Sequence, residues 1–311
     1  MENLNRLILH PDFENTIREL SDKDIFLPHY GDENTPHVFN FQTTGQLLSN
    51  LEKIQAYQLN VQNGCEASKK YLYSAYDESI IKFAALEGSA FFTAHSLVVV
   101  GENEYIPVTL ATFNFYTRSE NVLSKSSYIK FALEPEIESK RDYMRDRLRF
   151  LLDYTPSRSL LFIDGPLIGG DLYTFLIDNN DKFLKKEIVP IYFVKNSVSN
   201  IVIENIESLK GKYNSDMHWV HLLLRPGERS SFFKYEDQVN KKNSKIFCYL
   251  KAFESSPQRI EMHTETYSMY HDSIERILEL ILYLLLVQGI KANPQLRPIA
   301  IAEAYARAVL K

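Results

Sequence analysis

A chain of 311 residues is long for one compact core and short for three, so one large domain, or one domain with an appendage, is expected. With 45% hydrophobic and 13% aromatic residues against only 11 Gly and 12 Pro, the disordered, collagen-like and linker-array classes are excluded. The 35 basic and 40 acidic residues give a formal charge of −5, which excludes a polybasic coat for nucleic acid and leaves any grip on DNA to a local groove.

Residues 1–80 read as an accessory segment and 81–311 as the main domain. The start, MENLNRLILH, has no basic region followed by an apolar stretch, so no secretory signal is expected. A polar stretch passes Asp32, Glu33, Asn34 and Pro36, and Leu47, Leu48, Leu51 and Ile54 then recur at helical spacing. From Phe83 the texture turns to β, with Phe83–Leu86, Ser96–Val100 closed by Gly101, and Ile106–Tyr116 predicted as a meander of strands. Glu136–Asp153 is a predicted helix with Tyr143, Leu148, Leu151 and Leu152 on one stripe, stopping before Thr155-Pro156-Ser157. Leu160–Ile163 is an apolar strand ended by Asp164-Gly165-Pro166, and Ile188–Val194 is another after an intervening helix. Strand, helix, strand implies a parallel pair with a right-handed crossover.

Trp219–Leu224 and Lys245–Leu250 are predicted strands, and Ser273–Gln288 and Ile299–Leu310 predicted helices. The stripe Ile274, Ile277, Leu278, Ile281, Leu284 and Leu285 points to core packing first and dimerisation second. The fold class is α/β, a mixed sheet with helices against it. The longest uncharged apolar run, between Glu279 and Lys291, falls short of the ~20 residues of a membrane span, so a cytoplasmic protein without membrane attachment is expected.

Cys65 and Cys248 lack CxxC spacing and are expected to be plain thiols. His218 and His221, placed on a strand, would face opposite sides and not share a metal. GxGxxG, GxxxxGK[ST], HExxH and GxSxG are all absent, which removes the main support for dinucleotide, nucleotide-triphosphate, zincin and α/β-hydrolase chemistry.

What remains is a set of carboxylates. Asp164 ends an apolar strand before Gly165, and Glu87 follows Phe83–Leu86 before Gly88, both where α/β sheets build sites; a solvated turn carboxylate is the plainer reading of each. With an acid from the intervening helix, they would suit a hard divalent cation, and two such ions about 3.5–4 Å apart can hydrolyse a phosphodiester. Asp142 and Asp146, four apart and so on one helix face, are the candidate helix acids, interleaved with Arg145 and Arg149; an exposed helix laced with ion pairs is the alternative. A restriction-like acid-x-Lys is ruled out, because Tyr192-Phe193-Val194 precedes Lys195. Arg225-Pro-Gly-Glu-Arg229 reads as a loop that either touches phosphates or is a plain polar turn.

In order along the chain, Leu86-Glu87-Gly88-Ser89, Phe162-Ile163-Asp164-Gly165-Pro166-Leu167, Phe193-Val194-Lys195, Gln258-Arg259-Ile260-Glu261 and Pro298–Ala306 resemble the motifs of the NurA nucleases. The resemblance implies an RNase H-like core and a Mn²⁺- or Mg²⁺-dependent DNA nuclease, a 5′–3′ exonuclease that also cuts single strands internally. It implies metal ligation by Glu87, Asp146 and Asp164, with Lys195 and Glu303 as further catalytic residues and Arg145, Arg149, Arg225, Arg229 and Arg259 on DNA. It further implies a homodimer docked on a HerA-type hexameric ATPase, in DNA end processing or anti-phage defence. Three departures stand out: Glu87 replaces the family Asp, Pro166 a Ser and Glu303 a His. They motivate a rival reading, a catalytically degenerate scaffold or DNA-clamping subunit; a small-molecule phosphoesterase is a third.

Overall fold

The structure is a computed structural model that describes residues 46–101, 104–120, 128–168, 177–195, 199–237, 241–255, 257–291 and 294–311. The polar stretch from Asp32 to Pro36 lies outside the described residues. The elements begin with strands Gln46–Asn50 (β1) and Tyr57–Gln58 (β2) and helix Val61–Ser68 (α1). The long strands Leu72–Ala85 (β3), Gly88–Val100 (β4) and Tyr105–Thr117 (β5) follow, rich in β-branched and aromatic residues that favour a pleated, half-buried surface. They form the expected antiparallel meander, edged by Ile129–Phe131 (β6).

Helix Pro135–Tyr154 (α2) crosses back to Ser159–Asp164 (β7), which runs parallel to β3; Asn180–Lys185 (α3) leads to Val189–Val194 (β8), parallel to β7. The strand order β8-β7-β3-β4-β5 is that of an RNase H-like sheet, as expected. Helices Ile201–Asn205 (α4) and Asp216–Leu223 (α5) precede Glu228–Arg229 (β9), Phe233–Asp237 (β10), Ser244–Lys251 (β11) and Gln258–His263 (β12). These strands extend the sheet antiparallel from β8 in the order β12-β11-β10-β1. Thr264–Met269 (α6), His271–Gln288 (α7) and Arg297–Val309 (α8) close the described chain.

Two cores sandwich the central strands. On one face Tyr73, Ala75, Leu160, Phe162, Ile191 and Phe193 pack against Ile277, Ile281 and Leu284 of α7 and Ile299 of α8. On the other, Tyr76, Leu97, Leu161 and Ile163 meet Met144, Leu148 and Leu151 of α2. The α7 stripe is thus core packing. Among the described residues no helix is long and apolar enough to cross a membrane, and Cys65 and Cys248 are free thiols.

Three expectations are corrected. Leu47 and Leu48 lie on a strand rather than a helix, because β1 pairs with β10 and Leu48 packs against the core around Phe233 and Phe247. Of the expected strand Trp219–Leu224, the residues up to Leu223 are helical, started by Ser215, whose side chain accepts the His218 N–H, and Trp219 and Val220 are buried on one side of α5. The boundary expected at residue 80 falls inside β3, so residues from 46 onward are woven into the sheet.

Candidate active site

The parallel strands place the acids. Asp164 is the last residue of β7, and Gly165 follows at φ 104°, a conformation that a side chain would strain. The Gly165 N–H donates to the Phe193 carbonyl at 2.8 Å, binding the turn to β8. Tyr76 of β3 is abreast of Ile163, so the next pair in register is Asp77 and Asp164. Ala75 and Phe162 belong to the core under α7, whereas Tyr76 and Ile163 belong to the core under α2. Alternation therefore sends both Asp77 and Asp164 to the α7 and α8 face.

Asp77 was missed in the sequence. Its carboxyl is pushed up to about 7 by burial first, and then by the negative charges of Asp164, Glu78 and Glu303, against a lowering by the Glu78 N–H it accepts. A carboxylate crowded by other carboxylates is a frequent mark of a working site. Lys195, one residue past β8, donates from Nζ to Asp164 Oδ2 at 2.7 Å. Glu303 stands on α8, which packs across β3 and β4; it pairs with Arg307 at 2.6 Å and accepts from Gln295 at 3.4 Å. The structure thus brings together Asp164, Lys195 and Glu303 of the expected residues, and adds Asp77.

Glu87 does not join them. It is exposed in the two-residue turn between β3 and β4, eight strand residues beyond Asp77 (85 − 77) plus the turn, roughly 25–30 Å along the strand. The glycine after it has its own cause, since a Cβ at Gly88 would meet the Tyr116 carbonyl at 2.2 Å. The helix acids are also turned elsewhere. Asp142 accepts from Tyr116 Oη and Lys130 Nζ, both at 2.6 Å, and pairs with Arg145. Burial raises its carboxyl, but Lys130 and Tyr116 overcome that and hold it low. Burial first, and then the charge of Asp142, raise the Asp146 carboxyl against a lowering by Arg145, Lys130 and Arg149. The residue of α2 aimed at β3 is instead Arg147, buried, 3.4 Å from Glu78 and stacked over Tyr76.

Of the arginines expected on DNA, Arg145 and Arg149 are exposed on α2, over the face opposite Asp77, and Arg149 pairs with Asp153 at 3.6 Å. Arg225 is exposed in the turn after α5. Arg229 and Arg259 are corrected to interior residues. Arg229 is clamped between Tyr57 and Phe232 and pairs with Glu52 and Glu275. Arg259 is buried and donates to Glu261 at 2.7 Å and to Ser199 at 2.7 Å. His218 and His221 share helix α5; His218 accepts from the Asn214 N–H and packs edge-on to Tyr213.

Chemically, two carboxylates side by side with an ammonium on one of them offer hard oxygen donors for a divalent cation and a positive group for an anionic substrate. Asp77 and Asp164 are the pair suited to such a cation. Among the described residues no three His, Cys, Asp or Glu side chains stand close enough to hold one together.

A family model described as the NurA domain matches residues 83–308, a span that includes Glu87 and starts just past Asp77. No curated protein matches the sequence. Among solved structures, the chain is similar to the NurA nuclease from Sulfolobus solfataricus, with 12% identity, 81% of each chain covered and a TM-score of 0.49. It is also similar to Ciona intestinalis endonuclease V in complex with an inosine-containing DNA 24-mer, with 12% identity over 84% of this chain and 88% of that one and a TM-score of 0.35. A NurA bound to dAMP and manganese is similar at 10% identity over 75% of this chain and 83% of that one, with a TM-score of 0.34.

Proposed function

The chain belongs to the NurA family, and from that premise we propose that it is a metal-dependent DNA nuclease whose centre is Asp77 and Asp164, with Lys195 and Glu303 beside them. The observation that carries this reading is the register of β3 with β7, which sets Asp77, within β3, abreast of Asp164 at the end of β7, where burial first and then the Asp164 charge push Asp77 up to about 7. The donor set fits Mn²⁺ or Mg²⁺, held by Asp77 and Asp164. When bound, such an ion supplies a water made nucleophilic near neutral pH and charge stabilisation at the phosphate. The chain's own groups do the rest. Lys195 holds Asp164 in place and offers its ammonium to the scissile phosphate. Without the ion, burial and the neighbouring carboxylates push the Asp77 carboxyl up to about 7, so taking up the cation would release the proton that it holds below that pH.

In this reading the substrate is DNA, trimmed from 5′ to 3′ and cut internally where single-stranded, and the protein works as a homodimer with a HerA-type hexameric ATPase in end processing or defence. The modest net charge supports a partner that supplies much of the hold on DNA. The test is cleavage of labelled single- and double-stranded DNA by the purified protein in Mn²⁺, alone and with a HerA-type ATPase. Undiminished cleavage by Asp77→Ala or Asp164→Ala protein would remove the assigned centre.

A second reading, a DNA-clamping scaffold that has lost catalysis, is favoured by one observation: α2 turns Arg147 rather than an acid toward β3. Calorimetry separates the two, since the nuclease takes up Mn²⁺ in an Asp164-dependent way and the scaffold does not.

A further inference from the structure

Glu261 projects from β12 away from α7 and is fully buried. Its Oε1 accepts from Lys245 Nζ at 2.6 Å and from Arg259 Nε at 2.7 Å, and its Oε2 accepts the Leu167 N–H at 2.9 Å. Burial alone would raise this carboxyl, but Lys245 and Arg259 hold it below the ordinary range. Arg259 reaches on to Ser199 Oγ, and Ser199 donates to Asp216 at 2.9 Å. Asp216 in turn accepts the backbone N–H groups of Val202 and Ile203 at 3.0 and 2.9 Å.

Leu167 and Ser199 therefore meet on one network. Leu167 is three residues past Asp164 (167 − 164), and Ser199 is four past Lys195 (199 − 195). Packing does not call for such an arrangement, because apolar side chains of similar volume in place of a buried ion pair are often neutral or stabilising. What apolar side chains cannot do is accept the Leu167 N–H or hold Ser199.

We propose that Glu261, with Lys245 and Arg259, is a positioning residue: it fixes the turn leaving β7 at Leu167 and so keeps Asp164 in register with Asp77. The catalytic half of this statement rests on the nuclease reading; the loop-anchoring half does not.

The test is the paired variant Lys245→Met/Glu261→Met, which removes one charge of each sign and the acceptor for Leu167. The expected protein folds, with a melting temperature lowered by several degrees because Arg259 loses its carboxylate, while amide exchange at Leu167 is faster by about tenfold or more, beyond the change at core amides. Its calorimetric Kd for Mn²⁺ rises by about 10- to 100-fold, and kcat on DNA falls in the same range with KM unchanged. A folded variant with unchanged Leu167 exchange and Mn²⁺ affinity overturns the proposal. So does a variant that cannot fold, since the network would then serve the fold itself. If the parent protein neither binds Mn²⁺ nor cuts DNA, the nuclease reading fails, and Leu167 exchange still decides whether Glu261 anchors the loop.

Discussion

Replacing Asp77 by Asn should make the metal-free protein more stable while abolishing its function. In the fold this carboxyl titrates near 7, against 3.8 in the open chain, because burial and then Asp164 oppose its charge. The folded form therefore binds the proton more tightly, so this group's stabilising contribution is whole below about pH 4 and is lost as pH rises through about 7. A difference of about three pH units at about 1.4 kcal/mol each puts the limit near 4 kcal/mol above pH 8, and partial exposure trims it to about 2–3 kcal/mol. Asn keeps the shape and escapes the penalty. In EDTA at pH 8 the variant should melt higher, by roughly 2 °C per kcal/mol in a chain of this size. The margin should shrink to less than half at pH 5. Adding Mn²⁺ at about 1,000 times its Kd should contribute about 4.1 kcal/mol to the parent and nothing to the variant, reversing their order. An Asn variant no more stable than the parent at pH 8, or a margin equal at pH 5 and pH 8, would refute the reasoning.

Lys195→Met should lower kcat about 100-fold with little change in KM, because the ammonium on Asp164 is lost; unchanged cleavage would leave Lys195 a purely structural partner. Glu87→Ala should keep DNA cleavage within about twofold, as expected of an exposed turn remote from Asp164, and a collapse of activity would restore Glu87 to the centre. Arg229→Met should cost about 2–3 kcal/mol in denaturant unfolding by leaving Glu52 and Glu275 without their shared cation, yet leave DNA affinity at fixed salt unaltered.

The sequence made some of this site legible and hid the rest for definable reasons. Asp164 and Lys195 could be read because each follows an unbroken apolar run, the mark of a strand buried on both faces, and sits where that run stops. Asp77 has no such mark. It lies in the middle of a 14-residue strand, and only the pairing of β3 with β7 makes its position a strand-end position. An acid at one step of the alternation Tyr73, Ala75, Asp77, opposite Tyr76 and Glu78, was the available signal. Glu87-Gly88 imitated the Asp164-Gly165 pattern, but there the glycine answers to the Tyr116 carbonyl. Arg229 and Arg259 read as free cations because their partners, Glu52, Glu275 and Ser199, are remote in sequence. Trp219–Leu224 is short and apolar enough to pass for a strand, and the Ser215 cap was the clue that decides for a helix.

The hairpins from β3 to β5 join neighbours in sequence, whereas Asp77 meets Asp164 only across 87 residues (164 − 77). Local antiparallel pairing can begin as soon as its strands leave the ribosome, but parallel pairing must wait for the later strand and fold more slowly. A half-synthesised chain thus carries a finished meander and a solitary aspartate. On the proposed reading the two carboxylates of the centre come together last, so the pair that would hold the cation exists only once β7 has joined the sheet.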